Sequence, residues 1–315
     1  MTEEQEHRPA YLELHERGEL ARRAEAALAR LASCDICPRQ CAVNRLQDER
    51  DACNTGRLAR VSSMGPHFGE EAPLVGRSGS GTIFFAGCNL GCAFCQNADI
   101  SQLCHGEETD AEALARMMLG VQRMGCENLN LVTPTHVTAQ ILEALVIAAE
   151  GGLRIPVVYN CGGYEAPETL LLLDGVVDIY MPDFKYTVAA AGERLSGVPD
   201  YPDVARAALT EMFRQVGDLT LDAHGVARRG LLVRHLVLPE DQAGTAEAMR
   251  FLAGLSTETY VNVMDQYRPC HRIHDDPLLS RRITGGEYEA AVRAAHDAGL
   301  TRLDDRARVR LLRLF

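Results

Sequence analysis

Three cysteines crowd the stretch Gly87-Cys88-Asn89-Leu90-Gly91-Cys92-Ala93-Phe94-Cys95, with the spacing Cys-x3-Cys-x2-Cys. Three thiolates on one loop hold three irons of a cubane cluster and leave the fourth iron open to an outside ligand. A closed zinc site would need a fourth protein ligand, and Cys104 is the only close candidate. Four more cysteines, Cys34, Cys37, Cys41 and Cys53, read Cys-x2-Cys-x3-Cys-x11-Cys. That pattern closes either a structural zinc site or a second iron–sulfur cluster. The chain has 11 cysteines, and seven lie in these two groups. The acidic, polar opening from Met1 to Arg8 does not resemble a targeting segment. Clustered cysteines in such a chain mean ligation more than disulfides.

A different signal comes from lysine. Of 32 basic side chains in 315 residues only Lys185 is a lysine. A bias that favours arginine wherever any cation will do leaves lysine where a compact ammonium matters or as a relic on a loop. The net charge of −12 opposes bulk attraction to nucleic acid or anionic membrane, although a local basic groove remains compatible with it. At 46% apolar and 24% charged residues the composition is that of a globular chain. The longest apolar runs, Ala144–Ala149 and Leu170–Leu173, fall far below the roughly 20 residues of a membrane span. A cytoplasmic protein is expected.

The elements that must position these residues follow from periodicity. Apolar positions from Leu12 to Leu31 recur at helical spacing, predicting one surface helix over about Pro9 to Ala32. From Cys34 to Gly81 the chain is rich in Cys, Gly and Pro, with little periodicity, so ligation more than burial should hold it. After Gly81 short apolar runs alternate with amphipathic segments. Strands are predicted at Thr82–Ala86, Asn128–Val132, Pro156–Tyr159, Val177–Met181, Leu231–Leu238 and Tyr260–Met264. Helices are predicted at Asp110–Met124, Thr138–Ala149, Pro167–Leu173, Asp203–Val216, Thr245–Leu255 and Glu287–Ala298. Strand–helix alternation at this spacing implies crossovers and a parallel sheet. Six strands are too few to close an eight-fold barrel, so the expected α/β architecture is a partial (β/α)6 barrel, residues 82–315, behind a Cys-rich extension, residues 1–81. Its chemistry should lie where the strands end.

The three-cysteine spacing, with Phe94 before the last cysteine, resembles the signature of the radical S-adenosylmethionine (SAM) superfamily. The resemblance implies that Cys88, Cys92 and Cys95 ligate a 4Fe–4S cluster, that SAM sits on the open iron, and that Phe94 backs the adenine. Met181-Pro182-Asp183-Phe184-Lys185 is similar to a motif of the glycyl-radical activating enzymes. By that likeness Lys185 holds the SAM carboxylate, and Asp183 and Met181 line a cation site. Asn160 stands where that group has an acid, and Val132-Thr133-Pro134-Thr135-His136 stands where many members carry Gly-Gly-Glu. Thr135 or His136 would then receive the SAM ammonium through a lone pair.

Period-two alternation lets only one of Arg234 and His235 face the sheet interior, and similarity to the activases favours Arg234. Arg268 falls near the place of an activase histidine, with His271 and Cys270 close by. The whole chain resembles a branch called pyruvate formate-lyase activating enzyme-like, through Cys34-x2-Cys37-Pro38-Arg39-Gln40-Cys41, His67-Phe68-Gly69-Glu70-Glu71, Ser80-Gly81-Thr82-Ile83-Phe84-Phe85 and Val132-Thr133-Pro134-Thr135-His136. This implies a one-electron donor of flavodoxin or ferredoxin type and hydrogen abstraction from a substrate, a glycine on a partner protein if the ancestry extends to function. A radical SAM enzyme acting on a small molecule or RNA, or a non-catalytic iron–sulfur electron carrier, are the alternatives.

Overall fold

The structure, a computed structural model, describes residues 8–304. Nine strands form its sheet: β1 (Ala59–His67), β2 (Ser80–Phe85), β3 (Glu107–Thr109), β4 (Leu129–Val132), β5 (Val157–Cys161), β6 (Ile179–Pro182), β7 (Thr220–Leu221), β8 (Ala227–Leu236) and β9 (Tyr260–Met264). The order is β3-β1-β2-β4-β5-β6-β8-β7, with β9 also on β8. Strands β2, β4, β5, β6, β8 and β9 run parallel and are the six that alternation predicts.

The helices are α1 (Tyr11–Glu16), α2 (Glu19–Ala29), α3 (Ala72–Val75), α4 (Ala98–Ser101), α5 (Ala111–Arg123), α6 (Thr138–Glu150), α7 (Pro167–Leu173), α8 (Ala189–Ser196), α9 (Tyr201–Val216), α10 (Thr245–Leu255) and α11 (Gly285–Asp297). Local chemistry fixes several starts. The Asp110 carboxylate accepts from Ala113 N at 2.7 Å before α5, and Thr284 with Glu287 forms a reciprocal cap before α11, each satisfying amides that a helix leaves without partners.

Alternation along the strands sorts side chains onto two faces. Leu129, Leu131, Tyr159, Tyr180, Val233 and Val261 join the helices in the main core. Val158, Ile179, Met181 and Leu232 point the other way and form a second core with Leu74 of α3. Leu74 is a plug delivered by the segment between β1 and β2. That segment also shows that the sheet curls. Glu71 lies four residues past His67, which pairs with Ser80 on β2, a reach of at most about 14 Å. In the sheet order β9 is six neighbours from β1, about 29 Å if the sheet were flat. Yet the Glu71 carboxylate accepts from Asn262 Nδ2 on β9 at 2.7 Å. The two margins of the sheet therefore approach each other around the second core.

The extension differs from expectation in two ways. The single predicted N-terminal helix is two, because Gly18 adopts φ +68° and breaks the run between α1 and α2. The stretch expected to depend on ligation contains β1, which pairs antiparallel with β2 along nearly its whole length, so the sheet crosses the predicted boundary at 81/82. A nine-residue strand escaped notice because Ser, Met, Gly and Pro break its alternation (burial declines from Ala59 to an exposed His67). The outer ends of the two predicted regions, 1–7 and 305–315, lie outside the described residues. Among the described residues no helix is long and apolar enough to cross a membrane.

Candidate active site

The three-cysteine loop begins where β2 ends. Gly87 turns it with φ +90°, and a Cβ there would stand 2.5 Å from the Cys53 carbonyl, so glycine is required on both conformational and steric grounds. Cys92 is buried and Cys88 and Cys95 are half-buried. Ser196 Oγ donates to Cys92 Sγ at 3.1 Å, and Cys95 Sγ lies 3.2 Å from Ser101 Oγ. The Leu90 amide donates to Cys88 Sγ at 3.4 Å. Burial, with Cys92 and Cys95 nearby, pushes the Cys88 thiol up to about 11.

All three cysteines line one cavity of about 240 Å³ together with Phe94, Val132, Thr133, Asn160, Asp183, Lys185, Arg234, Met264 and Gln266. These come from the ends of β2, β4, β5, β6, β8 and β9. Phe94 is 6% exposed and packs edge-on against Tyr186 and Tyr267, ring centres 6.2 and 6.0 Å away. Lys185 Nζ pairs with Asp183 Oδ2 at 2.5 Å. Burial disfavours its ammonium, but Asp183, Cys92 and Tyr201 outweigh this and hold its pKa above the usual lysine value. The β5 and β6 ends meet closely because Gly163, at φ +76°, would otherwise place a Cβ 2.2 Å from the Asp183 carbonyl.

Arg234 faces this interior, while His235 turns the other way, to the Phe184 carbonyl and Thr245 Oγ1, as period two requires of adjacent residues. Its guanidinium is fully engaged. Nε and Nη2 donate to Glu71 at 2.7 Å each, Nη2 also pairs with Glu70, and Nη1 donates to Asn160 Oδ1 at 3.2 Å. Burial raises the cost of the Glu71 charge, yet Arg234 and Asn262 outweigh it and hold this carboxyl below its ordinary range. The pair Glu70 and Glu71 was visible in the sequence only as part of a resemblance; nothing local announces that it meets an arginine more than 160 positions away.

Several predicted residues stand away from the cavity. Thr135 is buried and donates to Glu165 Oε1 at 2.7 Å. His136 is buried beneath Gly87, with Nε2 at 3.0 Å from the Ala86 carbonyl, and burial takes its pKa down to about 4. In their place the structure brings Val132 and Thr133 to the cavity. Thr133 adopts φ +61°, a left-handed conformation that costs about 1–3 kcal/mol and that its place before Pro134 disfavours. No sequence rule would have found it. Arg268 is exposed and off the cavity wall, where Met264 and Gln266 stand instead. His271 is exposed and meets Gln102.

Cys34, Cys37 and Cys53 are buried and Cys41 half-buried. They lie near enough that Cys34 and Cys53 add to the burial that raises the Cys37 and Cys41 thiols, Cys37 to about 12. Beside them Arg45 is 1% exposed. Its guanidinium donates to the His136 and Gly56 carbonyls and, at 3.7 Å, to Cys34 Sγ, while Nη2 has no partner. Among the described residues no carboxylate is bonded to this buried cation. Among the described residues no three His, Cys, Asp or Glu side chains are grouped as a single metal ion requires. A cubane spreads its thiolates over separate irons, and the soft donors of the Cys88–Cys95 loop, on one cavity wall with the Leu90 amide on Cys88, suit such a cluster.

No protein-family profile matches the chain. It is 34% identical over 283 residues to an uncharacterized protein of Methanocaldococcus jannaschii, covering 87% of this chain and 77% of that protein. Its structure is similar to that of a radical SAM methyltransferase from Sphaerobacter thermophilus, with a TM-score of 0.50, 14% identity, and coverage of 95% of this chain and 93% of the other. At that identity the likeness is one of fold. The chain thus belongs to the same family as the Methanocaldococcus jannaschii protein and has a mixed α/β fold shared with a radical SAM enzyme.

Proposed function

We propose that the protein is a radical SAM enzyme of the activating-enzyme type, built on a partial (β/α)6 barrel. The observation that carries this reading is the cavity shared by Cys88, Cys92 and Cys95 with Phe94, Asn160, Asp183 and Lys185, at the ends of the parallel strands. When bound and reduced by one electron, a 4Fe–4S cluster with SAM on its open iron supplies a deoxyadenosyl radical for hydrogen abstraction.

The chain's own residues bind and orient. Cys88, Cys92 and Cys95 would hold the cluster. The Lys185 ammonium, now on Asp183, is placed to receive the SAM carboxylate, and Phe94, fixed by Tyr186 and Tyr267, backs the adenine. Arg234 acts through Asn160: held from below by Glu70 and Glu71, it fixes the amide oxygen at the cavity floor. The second core closes the bottom of the barrel to water. We assign the substrate as a glycine on a partner protein, the reductant as a flavodoxin- or ferredoxin-type donor, and the setting as the cytoplasm. A second site on Cys34, Cys37, Cys41 and Cys53, beside buried Arg45, would hold a cluster rather than zinc, since among the described residues no three ligating side chains are grouped as a single ion requires.

The test is anaerobic reconstitution with iron and sulfide, then addition of dithionite and SAM. Deoxyadenosine should form. A fully loaded protein that yields none would overturn the enzyme reading in favour of an electron carrier.

A further inference from the structure

Five successive carbonyls of the cysteine loop are held by donors from outside it. Arg39 Nε donates to the Asn89 carbonyl at 2.8 Å and Arg39 Nη2 to that of Leu90 at 3.4 Å. Arg272 Nη2 donates to Gly91 O at 2.8 Å, Gln102 Nε2 to Cys92 O at 3.0 Å, and the Arg272 amide to Ala93 O at 3.0 Å. In a trans peptide the C=O and the next N–H point in opposite directions. The peptide joining Asn89 to Leu90 therefore has Arg39 at its oxygen and Cys88 sulfur at its amide, which lies 3.4 Å away. The next peptide, joining Leu90 to Gly91, also has Arg39 at its oxygen, at 3.4 Å. Arg39 also donates to the Ser196 carbonyl at 3.1 Å, so it cannot swing away without breaking the contact with the segment that carries the Cys92 hydroxyl donor.

We propose that Arg39 is a positioning residue that acts through the Asn89–Leu90 peptide on Cys88 sulfur and sets the reduction potential of the cluster the loop carries. The inference rests on the radical SAM reading only in needing a cluster there, not in needing SAM cleavage. One-electron reduction adds one negative charge to the cluster. Amides aimed at a ligand sulfur stabilise that charge, and hydrogen bonds to sulfur are among the levers that set such potentials. A guanidinium at the oxygen end of that peptide polarises the amide further. This also gives the Cys37-Pro38-Arg39 segment a role as a mount for the loop, whatever metal its cysteines hold.

The experiment is a redox titration of the anaerobically reconstituted full chain, with dithionite as the electron source and the reduced cluster followed by electron paramagnetic resonance. Arg39→Gln should titrate at lower potential than wild type. Arg39→Lys keeps the charge but loses the two-carbonyl fork and should fall between. Arg272→Gln, which loosens a carbonyl whose peptide does not bond Cys88, should shift it less. Hydrogen exchange over residues 88–95 in the cluster-free protein gives a second readout, with faster exchange expected for Arg39→Gln. An unchanged potential in a loaded Arg39→Gln would overturn the proposal, as would unchanged exchange in a variant that does not load. Variants that still form deoxyadenosine at an unchanged potential would sink this inference alone, whereas a wild type that titrates without forming deoxyadenosine would sink the enzyme reading alone.

Discussion

At the scale of single residues, Lys185 is where composition and geometry meet. It is the only lysine, and it lies on the cavity that holds the three thiols. Its ammonium pairs with Asp183, and its stem lies in ordinary contact range of Gly162. Lys185→Arg keeps the charge but introduces a planar fork, and SAM affinity measured by calorimetry should fall at least about tenfold, the equivalent of 1.4 kcal/mol. Unchanged affinity would remove Lys185 from the SAM site.

Two buried groups also predict a pH signature. Burial raises Glu165 to about 7, against the hydrogen bonds from Thr135 and Tyr159, so the folded state binds its proton more tightly than the unfolded chain. Stability from this group is present below the unfolded pKa, near 4.5, and is lost as pH rises to about 7. His136, lowered to about 4 by burial, contributes stability above 6.5 that is lost as pH falls toward 4. Each amounts to about 3 kcal/mol at 1.36 kcal/mol per unit, with opposite sign, so they largely cancel in the wild type. Urea denaturation from pH 4.5 to 8 should show Glu165→Gln losing stability toward acid and His136→Gln losing it toward base. Parallel curves for the three proteins would contradict this.

At the scale of elements, the segment between β1 and β2 does what no single strand does. It carries Leu74 into the second core and Glu70 and Glu71 onto Arg234 and Asn262, tying the two margins of the sheet. Removing one partner leaves a buried charge partly uncompensated, so Glu71→Ala should cost about 3 kcal/mol in denaturant unfolding. Loss well below 1 kcal/mol would mean that Glu70 alone balances Arg234. Whereas the short helices α3, α4 and α8 give no apolar period, helices α5, α6, α7, α9, α10 and α11 and the six parallel strands were legible because their apolar periods are local. Strand β1 and this tie were not, since pairing partners and buried ion pairs depend on contacts between residues far apart in the chain.

At the scale of the whole molecule, the extension and the sheet are one body: β1 completes the sheet, the Cys53 carbonyl abuts Gly87, and Arg39 holds the cysteine loop. The two cysteine groups should nevertheless load separately. Replacing Cys88, Cys92 and Cys95 together by alanine should abolish deoxyadenosine formation while iron and zinc analysis still finds metal on Cys34, Cys37, Cys41 and Cys53. A metal-free variant would show that the second site does not exist or depends on the first.

The six parallel strands are legible in the sequence alone because local apolar periods carry that information, whereas period two leaves open which of Arg234 and His235 turns inward. Which residues share the cavity depends on how the chain packs. Thr133, Met264 and Gln266 reach it, while Thr135, His136 and Arg268 do not. A strand end spreads neighbouring residues over different directions, and which of them faces the interior depends on the curl of the sheet and on backbone angles such as that of Thr133, which only the packed chain imposes.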